Sequence, residues 1–400
     1  MPFVEIDWSR FNNSRHDGRA LGLPELLAYI TRPSRLLLTF IGAYLDYPLP
    51  KKPALRRLAV AHIVLVSILA VFVSCPVVLS TRFLPIFAPL SLSSAKTIAL
   101  ILLHWQTVVA FIFLIIWQTT KAAAKIRDLQ SAASTGVGLL RRKLLVTQVY
   151  RAAFGSTCVL AGAWIAYLAT SYLTDLLPPP FIELLFTEIL DPLVFATSAL
   201  LLVTWSVAQV TVIFYLTIIA VEFRALHDDI ADDGNLYQSP VTKHYVLVHS
   251  RLRKMLDHFN LVASWFMLCL VTTAVVGLFV LVLAVFEVDN LDLNEKETLV
   301  DIGVSLGLTL TFLTQLIAII VFSLIVHHEV HYIASAVGML IASERNLHDQ
   351  TYSVAIAYLQ HFWRQSPGVS LGGIAVINKR LVVGLLLFLL LAATRLLGKW

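Results

Sequence analysis

Residues 327–380 read HHEVHYIASAVGMLIASERNLHDQTYSVAIAYLQHFWRQSPGVSLGGIAVINKR, and residues 381–397 follow at once as LVVGLLLFLLLAATRLL. The first stretch carries histidines, amides and basic side chains; the second is almost purely aliphatic. Immediately upstream, 302–326 is another uncharged apolar run. A polar segment between two such runs is what a chain shows when it leaves a bilayer, packs in water and re-enters. On this reading 327–380 is a cytosolic packing segment and 381–400 contains the wall of a pore, with the boundary near Lys379–Arg380.

The rest of the chain agrees. Its 400 residues are 58% hydrophobic and only 14% charged, with a mean hydropathy of +0.80, where soluble proteins carry roughly a quarter charged residues. The expected fold class is therefore an all-α membrane protein, multi-pass, in the plasma membrane. A spanning helix needs about 20 largely apolar residues. The uncharged runs 58–80, 97–117, 152–174, 193–221, 261–286 and 302–326 meet that length, and 381–394 makes a seventh span that reaches Leu397 if Arg395 snorkels to the interface. Arg35–Leu45 is too short to span and reads as an interfacial or re-entrant helix. The expected layout is an N-terminal cytosolic region over 1–57, spans 1–6 with their extensions over 58–326, a cytosolic segment over 327–380 and the seventh span over 381–400. The N-terminal MPFVEIDWSRFNNSRHDG has no apolar core of a signal peptide, so the first span itself directs insertion. Cys75, Cys158 and Cys269 all fall in apolar runs, which suits packing better than a disulfide framework.

Orientation follows from Lys and Arg. With the N-terminus inside, the cytosolic segments 1–57, 118–151, 222–260 and 327–380 hold 25 of them against 5 in the outer segments, a strong positive-inside asymmetry. After seven spans the C-terminus lies outside, inverted relative to G-protein-coupled receptors. The net charge of +5 records this orientation and does not point to nucleic acid. The Asn12-Asn13-Ser14 sequon falls on the cytosolic side, where it stays unused.

The cytosolic segments have helical periodicity. Tyr245, Val248, Leu252, Met255 and Phe259 share one face of 241–260, and no breaker precedes Leu261, so this helix should run straight into span 5. The pattern recurs at Val330, Ile333, Val337 and Leu340, then at Tyr352, Ile356, Leu359 and Trp363. Two arrangements fit: a compact cytosolic bundle of helical extensions, or helices lying on the membrane surface.

Two stretches carry a family resemblance. YVLVHSRLRKMLDHFNLVASWFMLCLV (245–271) resembles the helix that leads into span 5 in insect-type gustatory and odorant receptors, with a basic and leucine-rich pattern, then an Asn and an aromatic pair. GVSLGGIAVINKRLVVGLLL (368–387) resembles their last segment, where Asn or Asp precedes span 7. The similarity is concentrated in 215–394, while the first half matches in layout only. The family's C-terminal signature is Thr-Tyr, five apolar residues, then Gln-Phe. Here Thr394 keeps its place, Arg395 stands where Tyr is expected, and the chain stops at Trp400 where Gln would be next. The resemblance implies a ligand-gated cation channel, homo- or heterotetrameric, each subunit giving span 7 to a central pore. It implies a small-molecule tastant or odorant bound in the outer half among spans 2–6, and a cytosolic anchor made by the extensions of spans 4–6.

Thr394, Val383, Leu387, Leu390 and Leu397 share one face of span 7 and are the pore-lining candidates; a lipid-facing or packing helix is the other reading. Arg395 suits either the pore mouth or the lipid headgroups. Inward-facing aromatic and polar side chains of the outer halves suit a small, mostly apolar ligand. These are His104 and Trp105 in span 2, Trp164 and Tyr167 in span 3, Phe195 in span 4, Thr309 and Phe312 in span 6, and Gln315 deeper. His104 equally suits an interhelical hydrogen bond, and Trp and Tyr near span ends suit interface anchoring. His327 and His331 lie one turn apart, but HHEVH lacks protease zinc spacing, so no metal or other cofactor is expected. HDDIADDGN (227–235) fails as a calcium loop and reads as solvated loop. No nucleophile–base pair or phosphate loop appears and the spans hold no Asp or Glu, which argues against an enzyme or a proton-coupled transporter. The altered signature keeps a second function open, a non-conducting or light-responsive receptor or scaffold of the same fold.

Overall fold

The computed structural model describes residues 30–34, 64, 68, 92–132, 137–173, 191–232, 239–287, 296–343, 349–365 and 367–397. The first expected span apart from Val64 and Ile68, the Arg35–Leu45 segment and Cys75 lie outside the described residues. In chain order the helices are α1 (Leu92–Thr119), α2 (Ala122–Ala132), α3 (Val137–Arg141), α4 (Lys143–Leu173), α5 (Asp191–Asp232), α6 (Ser239–Glu287), α7 (Lys296–Ser343), α8 (Asp349–Gln365) and α9 (Lys379–Leu397). Between α8 and α9 lies one antiparallel hairpin, β1 (Ser370–Leu371) with β2 (Ala375–Val376). Helices α1, α4, α5, α6 and α7 are each long and apolar enough to cross a membrane. In hydrocarbon every backbone polar group must be satisfied within the chain, which is why these runs fold as unbroken helices.

Length alone separates membrane from water. Helix α5 has 42 residues, α6 has 49 and α7 has 48. At about 1.5 Å per residue, each is roughly twice as long as the ~30 Å hydrocarbon core. Each must therefore project, and the polar ends 222–232, 239–260 and 327–343 project together on the side that the charge count makes cytosolic. Helix α5 sits at the centre, packed by α1, α3, α4, α6 and α7.

The extensions form a bundle rather than surface-lying helices. Val248, Leu252, Met255 and Phe259 of α6 are buried, as are Val330, Ile333 and Val337 of α7. Helix α8 departs from its expected face. Tyr352 and Trp363 are 46% and 64% exposed, and the buried stripe is Ala355, Tyr358 and Phe362. The reason is polar: the Tyr358 hydroxyl meets Nδ1 of the buried His249 at 3.1 Å, and Phe362 packs edge-on against His331. Burial pushes the Tyr358 phenol up from its ordinary range, so it keeps its proton in that contact.

The 227–232 stretch is helical, not loop. It forms the last turns of α5, where Asp228 and Asp229 pair with Arg142 and Arg141 at 2.8 and 2.7 Å. Arg224 links the same helix to Glu329 of α7 at 3.4 Å. Partly exposed pairs of this kind contribute little singly, but they tie the α3–α4 junction, α5 and α7 together. Inside them, fully buried Glu222 accepts from the Gln130 amide and from the backbone N–H of Leu139 at 3.1 Å. Near the opposite end, Lys96 of α1 pairs with Asp301 of α7.

One side chain fastens the route into α9. Asn260 donates from Nδ2 to the Gly368 carbonyl at 2.8 Å and accepts from the Ser370 N–H at 3.0 Å. One turn further along α6, the Ser264 carbonyl accepts from Gly372 N–H at 3.0 Å. Gly372 sits at φ +60, and a Cβ there would lie 2.5 Å from Leu268 Cδ2, so a larger residue would strain the backbone and push the Leu268 side chain aside. Asn378 then caps α9, its Oδ1 accepting from Leu381 N–H at 2.9 Å. Asn260→Ala leaves two backbone groups without partners and is expected to cost about 1–3 kcal/mol. Asn260→Asp, which keeps only the acceptor, should fall between. Thermal unfolding of the detergent-solubilised protein checks the order, and an unchanged midpoint for the Ala variant rejects the clamp.

Candidate functional site

The pocket lies toward the end of the bundle away from the projecting extensions, where α1, α4 and α5 meet. His104, Trp164 and Tyr167 line it together, with Leu100, Thr107, Ser198 and Leu202 among the other walls. The Trp164 and Tyr167 rings stand edge to face at 88° with centroids 5.8 Å apart. The Trp164 indole N–H donates to the Thr311 hydroxyl at 3.1 Å, which itself donates to the Gly307 carbonyl at 2.8 Å. The Trp ring is thus pinned from α7 while its face borders the pocket. The lining mixes aromatic and aliphatic groups with one imidazole and the three hydroxyls of Thr107, Tyr167 and Ser198, the composition that suits a small, mostly apolar ligand with a few polar atoms.

The other sequence candidates lie elsewhere. Trp105 is 36% exposed, on the outward side of α1. Phe195 is half-buried, and on its helix the pocket is met by Ser198 and Leu202 instead. The Thr309 hydroxyl donates to the carbonyl of Ser305 on its own helix at 2.8 Å. Phe312 is fully buried in the core, seated against Gly277, where a Cβ would come within 2.5 Å of its ring. Gln315 belongs to a deeper polar network. Thr107, Ser198 and Leu202 were unremarkable in sequence; only the crossing of α1 with α5 gives them meaning.

That network is centred on Gln106, which is fully buried. Its Oε1 accepts from the Trp205 indole at 3.2 Å and from Gln315 Nε2 at 2.9 Å, while its Nε2 donates to Thr273 Oγ1 at 2.6 Å. Thr273 in turn donates to the Cys269 carbonyl at 2.6 Å. One amide ties α1, α5, α6 and α7 together where an unpaired polar group would be costly. Cys158 and Cys269 are free thiols.

The cavity volume is about 50 Å³. Drug-sized ligands occupy pockets of roughly 300 Å³ or more. Occupancy therefore requires the Trp164–Tyr167 pair or its neighbours to move apart.

Helix α9 has a different character. It packs mainly on α6, and its apolar side chains remain open: Val383 is 54% exposed, Leu386 60%, Leu387 51% and Leu391 66%. Thr394 is exposed as well, its hydroxyl donating to the Leu391 carbonyl at 3.1 Å. The side chains of Leu390 and Leu397 lie outside the described residues. His327 and His331 lie against each other with ring centroids 4.1 Å apart and planes tilted by 49°, and His331 Nε2 meets the Pro367 carbonyl at 3.0 Å, which ties His331 to the segment leading into the hairpin.

No family model and no curated protein matches the chain. Its fold does match solved structures. The insect olfactory receptor OR5 from Machilis hrabei aligns with a TM-score of 0.61 at 13% identity, over 94% of this chain and 100% of that one. The same receptor in complex with eugenol aligns at 0.58 and 12% identity over the same shares. The chain has the insect olfactory receptor fold.

Gln106→Leu leaves the Trp205 and Gln315 donors without an acceptor and is expected to destabilise the bundle by about 2–4 kcal/mol. Gln315→Leu spares the Trp205 and Thr273 bonds and should cost less than half as much. Unfolding midpoints of the two purified variants check the ranking; equal effects would show that Gln106 is not the hub.

Proposed function

We propose that this chain is a subunit of a chemosensory, gustatory-like receptor that acts as a ligand-gated, non-selective cation channel. A small tastant or odorant binds in the pocket of His104, Trp164 and Tyr167, and α9 helices from several subunits line the pore with Val383, Leu387, Leu390, Thr394 and Leu397. The supporting observation is α9 itself. It is an apolar helix fastened at its start by Asn260 and Asn378, yet it leaves most of its described side chains uncovered by the rest of the chain. A helix so placed cannot enclose a lumen alone. Homo- or heterotetrameric assembly supplies the missing walls, and a hydrophobic constriction of this kind gates by dewetting. The likeness is to a receptor and not to an enzyme, over the full length of that relative. Plasma-membrane residence and the inverted seven-span arrangement belong to the same reading.

The test is current recording from cells expressing the chain, alone and with related subunits, across tastants and odorants. Eugenol, the compound bound in the second structure, is a reasonable first probe. A ligand-evoked cation current supports the channel, and Trp164→Ala should shift its half-maximal concentration at least tenfold. Silence under every combination, in protein shown to reach the surface, removes the channel reading. The second reading, a non-conducting or light-responsive receptor, rests on Arg395 standing where the family signature has Tyr. If Arg395 rings the pore mouth, Arg395→Gln raises cation conductance severalfold, because a ring of positive charge opposes cations. Unchanged single-channel conductance places that side chain outside the conduction path.

A further inference from the structure

A cleft of about 500 Å³ opens where α7 leaves the apolar run and α9 enters it. Its walls carry His327, His328 and His331 from α7, Trp363 from α8, and Lys379 and Arg380 from α9. No acidic side chain lines it, and among the described residues neither Lys379 nor Arg380 has an ion-pair partner. The one acid nearby in sequence, Glu329, is buried and turned toward Arg224 and His227.

The two basic residues sit where a folded chain does not ordinarily want them. They are the first two residues of the 19-residue α9, behind the Asn378 cap, at the end where the helix dipole favours negative charge. Two cations thus stand there without an internal counter-charge, and the imidazoles across the cleft add polar groups but not charge at His327 and His331, whose pKa values burial lowers. His327 adds a buried Nδ1 that has no hydrogen-bond partner. The level matters too. Leu324 lines the cleft at the last turn of the α7 apolar run, and the α9 apolar run begins immediately after Arg380. The cleft thus lies at the depth of lipid headgroups, on the face that the charge count makes cytosolic, with Leu324, Val376 and Trp363 offering apolar contact beside the charges.

We propose that this cleft binds a phosphate-bearing anion, the phosphate being held by Lys379 and Arg380 with His327 and His328 across the cleft. Two sources share that chemistry, an anionic phospholipid headgroup of the same leaflet and a soluble phosphate compound. Basic pockets between spans on the cytoplasmic side are a recurrent way to hold anionic headgroups, and the apolar flank at acyl depth has a use only for a lipid. The site is separate from the His104 pocket and does not depend on the chain conducting ions.

The experiment uses the purified full-length protein in nanodiscs of phosphatidylcholine, titrated with a short-chain fluorescent phosphatidic acid, and in a second arm with inorganic phosphate and inositol hexakisphosphate. Saturable binding of phosphatidic acid that weakens at least tenfold in the Lys379→Gln, Arg380→Gln double variant supports a lipid site. Losing two basic groups near a headgroup phosphate, at about 1 kcal/mol each, corresponds to roughly thirtyfold, so tenfold is a conservative threshold. Equivalent variant-sensitive binding of the soluble phosphates supports the same anion site with a soluble occupant. The charge-retaining pair Lys379→Arg, Arg380→Lys should bind as the unaltered protein does, which separates lost charge from lost fold. Lys143→Gln with Arg151→Gln removes two exposed cations of α4, elsewhere on the chain. If this control loses as much binding as the double variant, or if neither class of anion binds saturably, the proposal is overturned.

Discussion

Asn260 is the constraint on which the membrane and cytosolic parts both depend. It sits on α6 where the buried stripe of the cytosolic bundle, ending at Phe259, gives way to the span. Its amide satisfies one donor and one acceptor of a non-helical segment that must turn back toward the bilayer. Non-helical backbone is tolerated near a membrane only when protein satisfies it. Asn matches this need because it offers donor and acceptor together. With that segment fixed, Ser264 and Leu268, each one turn further along α6, meet Gly372 from the same side. The start of α9 is thereby set by α6 and not by α9's own contacts.

This gives α6 two duties. Its cytosolic half carries the bundle and the hairpin, and its membrane half supplies Thr273 to the Gln106 network. Helix α1 supplies both Gln106 to that network and His104 to the pocket above it. A change in pocket occupancy that shifts α1 against α5 therefore acts on the network, which α6 shares, and the rigid α6 also carries the fastening of α9. The physical content is continuity of packing and hydrogen bonds. Such continuity transmits only if α6 or α9 has two discrete positions, which is what coupled measurements on both ends would establish.

Much of this was legible in the sequence, because length and hydropathy act locally. The breaker-free passage from 241–260 into the following span became the unbroken α6, and the faces of Val248 to Phe259 and Val330 to Val337 are buried as their period requires. Helix α8 shows where periodicity fails. Two apolar stripes of similar strength share its surface, and the choice between them fell to a hydroxyl–imidazole contact across 109 residues of chain. The 227–232 turns failed for a related reason, since three aspartates look like loop until Arg141 and Arg142 arrive from outside α5 and Arg224 pairs with Asp228 one turn earlier on the same helix. The pocket was half visible. His104, Trp164 and Tyr167 stand out by type, whereas Thr107 and Ser198 become lining only through helix crossings. Gln106 could have been found from one signal, an amide within an uncharged span, since such groups face partners and not lipid.

The uneven packing of α9 has an energetic consequence. Between apolar helices in lipid there is no hydrophobic driving force, because acyl chains solvate leucine as well as leucine does. Covering Leu386, Leu387 and Leu391 with copies of themselves therefore contributes little to assembly. The projecting bundle is different, since it lies in water. There Tyr352 and Met339 are 46% and 61% exposed, and burying such groups contributes about 25 cal/mol for each Å² removed from water. In an assembly of this chain the energy that holds copies together thus resides in the cytosolic extensions. The α9 helices, joined to them through Asn260 and the hairpin, can change separation at small cost. In the proposed assembly, a stable collar with weakly self-associating inner helices is the distribution of energy that would let a pore open without the subunits coming apart.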